Sequence, residues 1–246
     1  MVGRVVVNPL SFPFLSDFFG RENVKHTRMR SILLAHVLSS FLPMTVSLTV
    51  GILGAQGGLG REVVSQCLAR GWTVHAYVRR PTDPVLTPVR RGWLSPDPNA
   101  ARTARPITSE RLHLFDSSDG VSGDEDSLVS VMSGSPFSNE FETVDAFRNA
   151  CSGVDRSVCR VCLVSAHGVG DSIDGANMGI QVMRDWYLRG TYAAKEAQED
   201  YLRTVWNGTY TILRPRVLSY EPIPMNPIAR TRTSVANEIC RWVCEQ

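Results

Sequence analysis

Gly54, Gly57 and Gly60 recur at every third residue in the stretch GILGAQGGLG, with Gly51 upstream and Gly58 filling a gap. Glycines at this spacing can do one kind of chemistry well, which is to bring a pyrophosphate close to backbone N–H groups. Gly54 permits a tight turn, and Gly57 removes the side chain that would block the approach of an anion to a helix N-terminus. Gly60 lets the helix pack closely on what precedes it. Gln56, Gly58 and Leu59 fill out the same cradle as candidate cofactor-binding residues. Further on, Arg79 and Arg80 are a forked pair that can grip a phosphate, and no carboxylate stands at that place to hold ribose hydroxyls. NADP(H) is therefore favoured over NAD(H), although a solvated arginine pair on a loop is the plain alternative.

The elements around these residues suit that chemistry. Val46–Leu53 is an apolar run, Leu59–Arg70 is amphipathic at helical spacing, and Thr73–Val78 is rich in β-formers. Strand, glycine turn, helix, strand is the opening of a dinucleotide-binding fold. Downstream the pattern predicts a long loop over 81–110 and a strand over 112–115 ending at Asp116, a further cofactor-binding candidate. An acidic loop follows over 117–126, then a strand over 128–132 and a helix over 140–151. A central strand over 158–165 precedes a helical stretch over 178–205 that breaks near Gly190. A strand over 210–213 and a helix over 234–244 close the pattern. This alternation implies an α/β fold, a Rossmann-like doubly wound parallel sheet in a single domain spanning 44–246. Residues 1–43 read as a poorly ordered extension. Their apolar run, 32–42, is shorter than the roughly 20 residues that span a bilayer.

The chain has 246 residues and a formal net charge of +2, with no basic stripe interleaved with aromatics, which argues against a nucleic-acid partner. The expected partner is a small-molecule substrate in the cytoplasm, with no membrane. Six scattered cysteines include Cys159 and Cys162, but strand alternation sends those two to opposite faces, so a metal site is not expected. Lysine occurs only at Lys25 and Lys195.

In these features the chain resembles the atypical short-chain dehydrogenase/reductase family, in particular the compact NAD(P)-binding group of NmrA-like and flavin/biliverdin reductase B-like proteins. Four stretches carry the likeness: GILGAQGGLGREVV with YVRRP, LVSAHGVGDS from Leu163, KEAQEDYLRTVWNGTYTILRPRVLS from Lys195, and RTSVA from Arg232. Arg216 departs from the family's usual glycine and Ser234 from its aspartate. The resemblance implies hydride transfer between NADP(H) and a small conjugated or carbonyl acceptor. It marks Lys195 and Ser165 as catalytic candidates that also face the cofactor; His167, at the carboxyl edge of the central strand, is a third that could give a proton to the substrate, a solvated loop histidine being the plain alternative. Lys195 would reach the cofactor while Glu199, four residues on, restrains it; a plain exposed helix pair is the alternative. Tyr192 lies three residues before Lys195, whereas standard members place their tyrosine four before, so packing or a helix-start position is preferred to proton transfer for it. Absence of that tyrosine dyad keeps open a non-catalytic, NmrA-like dinucleotide sensor that reports to a protein partner.

Overall fold

The structure, a computed structural model, describes residues 47–88, 104–133, 140–219 and 229–245. The extension expected at 1–43 and the middle of the 81–110 loop lie outside the described residues. Six parallel strands form the sheet: β1 (Thr49–Leu53), β2 (Thr73–Val78), β3 (Leu112–Asp116), β4 (Ser127–Ser130), β5 (Arg160–Val164) and β6 (Tyr210–Leu213). Their spatial order is β3-β2-β1-β4-β5-β6. Consecutive strands leave β1 in both directions, so the chain reverses its winding between β1 and β4. In such sheets a ligand crevice opens there, beyond the carboxyl ends of the strands.

The central strands are buried on both faces, as parallel strands between helices must be. Alternation divides them cleanly. Val50, Ile52, Val74, Ala76, Val129, Cys162 and Val164 point to one face, where α1 (Gly58–Ala69) packs against α5 (Arg232–Cys244). Leu53, Tyr77, Leu128, Val161 and Leu163 point to the other, where α2 (Glu140–Gly153) packs against α4 (Arg189–Thr204). Cys159 and Cys162 fall on opposite faces as the alternation predicts, and the six cysteines are unbridged.

The link from β3 to β4 carries no helix, in keeping with the acidic loop read from the sequence. The loop seals its part of the sheet with polar contacts. Glu125 is buried, accepts from the Tyr77 hydroxyl, and takes further bonds from Ser122 Oγ at 2.7 Å and Gly123 N at 3.0 Å. Burial pushes the Glu125 carboxyl up, but the donors of Tyr77, Ser122 and His75 outweigh it and leave it below the ordinary range.

Two features were not foreseen. The helical stretch from Met178 breaks at Leu188, near Gly190 as expected, but its first part is a short helix, α3 (Met178–Val182), and one π-helical turn (Met183–Tyr187) ahead of α4. After β6, two three-residue strands, β7 (Val217–Ser219) and β8 (Ala229–Thr231), pair in parallel. Among the described residues, no helix is long and apolar enough to cross a membrane.

Candidate dinucleotide and substrate site

The glycine turn lies at the carboxyl end of β1. Gly54 has φ +85°, a conformation that disfavours any side chain, and its neighbour across the crevice is the Met132 backbone after β4. Gly57 N donates to Gly54 O at 3.0 Å, closing the turn. A Cβ on Gly60 would collide with the Gly54 carbonyl and come within 2.8 Å of Ala55 Cα, so this position admits glycine alone. Gly57 differs: it is exposed, extended, and a Cβ there would meet only Gly54 O, at 3.2 Å. It is also the N-cap of α1, yet no side chain caps the helix and no acidic residue stands in its first turn. The helix start is thus left without an anionic partner, which suits a phosphate. Leu59 is buried in the core rather than open to a ligand, and Gly58 is half-buried.

Arg79 and Arg80 follow β2 directly and are exposed, beside the glycine turn because β2 pairs with β1. Gln56 reaches across the same edge, donating from Nε2 to Asp83 O at 3.0 Å. Asp116 ends β3, and its Oδ1 accepts from Ser118 N at 2.9 Å and Ser118 Oγ at 2.7 Å. Those two bonds, the backbone one first, lower its carboxyl below the usual value.

On the far side of the crevice, Ser165 follows β5. It is 6% exposed and its hydroxyl has no partner among the described residues. Ser130, at the end of β4, is fully buried with an equally unpartnered hydroxyl. Alternation turns both towards the α2/α4 face. Ser130 escaped the sequence reading because a lone serine in an apolar strand carries no signal until the register is known. His167 is half-buried, with N bonded to Pro215 O at 3.3 Å and Nε2 lying 3.4 Å from Gly175 O.

Lys195 is 5% exposed, and its amino group is already occupied. It donates to Met132 O, to Val164 O at 2.7 Å and to Gln198 Oε1 at 3.4 Å. Burial lowers its pKa from 10.5 to about 7, against the opposing pull of Glu199. The expected restraint by Glu199 is corrected by the geometry: Glu199 turns to arginines instead. Arg214 Nε and Nη2 reach its two oxygens at 2.8 and 2.6 Å, and Arg203 Nη2 lies at 3.1 Å. A rigid planar fork arriving from beyond β6 matches a carboxylate better than a lysine stem one turn away on the same helix. Tyr192 fits the packing role, its hydroxyl donating to His167 O at 3.2 Å.

Next to this loop is a cavity of about 500 Å³, walled by Gly168, Ile173, Arg184, Arg189, Tyr192 and Glu196 among others. The π-helical turn supplies Arg184, whose Nε binds Asp185 Oδ1 at 2.8 Å.

No protein-family model matches the chain, and no curated protein matches it by sequence. Solved structures do. ChuY, an anaerobilin reductase from Escherichia coli, is 19% identical, with 78% of this chain and 89% of that chain covered at a TM-score of 0.53. A proposed NADH-flavin reductase from Streptococcus pneumoniae is 14% identical over 81% of this chain and 94% of that one, with a TM-score of 0.56. WbmH from Bordetella bronchiseptica, solved with NAD+, is 14% identical over 80% and 73%, with a TM-score of 0.51. The chain therefore has the Rossmann-type fold of these proteins, as the sequence resemblance implied.

Proposed function

We propose that the chain is an oxidoreductase that binds a nicotinamide dinucleotide across the crevice between β1 and β4. The observation that carries this reading is the uncapped start of α1 behind the exposed Gly57, with the unpartnered Ser165 hydroxyl on the opposite wall. The first-turn N–H groups of α1 would hold the pyrophosphate, and Arg79 with Arg80 would take a 2′-phosphate, giving preference for NADP(H). When bound, the cofactor supplies hydride chemistry. Ser165 and His167 are the groups that would bind or protonate the acceptor, and Lys195 acts through the strand ends it holds. The cavity beside Gly168 and Tyr192 would receive a small conjugated or carbonyl acceptor; its volume suits one. Two proteins of similar fold are described as reductases, which supports the class of reaction.

The rival reading, a dinucleotide-binding sensor, is favoured by the engagement of Tyr192 and Lys195 with backbone carbonyls, which leaves neither side chain free to give a proton. NADPH oxidation with a panel of flavins, quinones and carbonyls separates the two. An oxidoreductase turns over at least one acceptor class, whereas a sensor binds NADPH without turnover.

A further inference from the structure

Three side chains of α4 lie on one stripe of the helix, at i, i+3 and i+7, and each fastens a different point of the same segment. Lys195 Nζ holds Val164 O, at the root of the loop that follows β5, and ties it to Met132 O at the exit of β4. Tyr192 Oη holds His167 O, in the middle. Glu199, with no exposed surface, gathers Arg214 and Arg203, and both arginines also hold Asp171 Oδ1, at 2.7 and 3.0 Å, at the far end of the loop. Gly170 presses its backbone against this ion cluster. Its φ is +54°, and a Cβ there would stand 2.9 Å from Glu199 Oε2 and 3.0 Å from Arg203 Nη1. The loop therefore cannot lift from α4 at one point without straining the others. Between the anchors sit Ser165 and His167.

We infer that Tyr192, Lys195 and Glu199 are positioning residues that set the Ser165–His167 loop against the crevice. The inference rests on the oxidoreductase reading above for what the loop faces, but not for how the loop is held. It gives Lys195 a task at the backbone of β4 and β5 instead of at the cofactor. It also explains a tyrosine at the wrong spacing for a proton donor: its hydroxyl meets a carbonyl.

The test uses the full chain with Tyr192→Phe and Glu199→Gln. The first removes one hydroxyl, so it carries the test if the second fails to fold. Three readouts are taken: amide hydrogen exchange over residues 166–172, NADPH affinity by fluorescence titration, and the emission of bound NADPH. Exchange in the loop should rise about tenfold in each variant, the effect of losing one hydrogen bond, while β1 and β4 stay as in the parent. NADPH affinity should stay within about twofold, because the phosphate cradle is untouched, and the emission of bound NADPH should change. Loop exchange unchanged in both variants would overturn the inference, as would faster exchange with unaltered emission. If the parent chain does not bind NADPH, the oxidoreductase reading fails on its own, and the exchange data alone then decide whether the stripe holds the loop.

Discussion

Arg214 and Glu199 form a two-pronged pair, Nε and Nη2 on separate carboxylate oxygens at 2.8 and 2.6 Å, although Glu199 has no exposed surface and Arg214 comes from the turn after β6. Removing one partner of a buried pair strands the other's charge. Arg214→Leu should therefore cost about 3 kcal/mol of unfolding free energy, with Arg203 left as a partial substitute. Arg214→Lys should lose less but not recover the parent value, since an ammonium cannot fork. Urea denaturation of the three proteins checks the order.

Two glycines of the turn should fail in different ways. Gly57→Val leaves a folded protein, because the position is exposed and extended, but puts a branched side chain where a pyrophosphate would lie. NADPH titration should show binding lost with the melting temperature nearly unchanged. Gly60→Ala drives a methyl into the Gly54 carbonyl and should lower the melting temperature first.

Arg79→Asp removes a charged fork and supplies an acceptor for a ribose hydroxyl. The preference ratio of NADP(H) over NAD(H) should fall about tenfold or more, the worth of one charge-assisted hydrogen bond. Arg80 is exposed beside it and can blunt the effect, so the double variant belongs in the titration. An unchanged ratio in both would remove the arginines from cofactor choice.

Burial of Lys195 should give the stability a pH dependence whose sign follows from its lowered pKa. Below about pH 7 the amino group is charged in both the folded and unfolded chain, and the folded state bears the full cost of burying it. From about 7 up to 10.5 the folded protein releases the proton first and the unfolded chain holds more protons, so this group's contribution to stability rises with pH. Unfolding free energies at about pH 6 and about pH 9 should differ in this direction for the parent and lose that component in Lys195→Met. Absence of a Lys195-dependent difference between these two pH values would mean that the carbonyls of Met132 and Val164 keep the ammonium charged in the folded chain.

Thr73–Val78 was legible because a parallel strand buried on both faces leaves a compact apolar run, and the partly exposed edge strand Tyr210–Leu213 also falls on the residues the pattern indicates. β7 and β8 were not, since three residues are too few to show a period and each is held by pairing with the other, twelve positions along the chain. In the site, the glycines declared themselves through local spacing. Glu199 did not: its neighbour at i−4 is a lysine, and a helix-based pairing rule cannot see an arginine 15 residues ahead that the sheet brings back beside it. Ser130 and the π-helical turn are likewise products of register and packing, not of composition.

The first helix after the glycine turn is covered by the last helix described, with Cys67 and Cys240 in contact at 3.8 Å across 173 residues of sequence. Gln66 and Arg70 add bonds to Thr233 O and Asn237 Oδ1 over comparable separations. Contacts that close so large a loop are slow to form, and α5 is the helix packed most extensively on α1, whose buried flank is Val63, Val64 and Cys67. The glycine turn is met early in the sequence, yet the helix it opens gains its cover only when α5 docks, so α1 and the turn are expected to be among the late parts to become rigid.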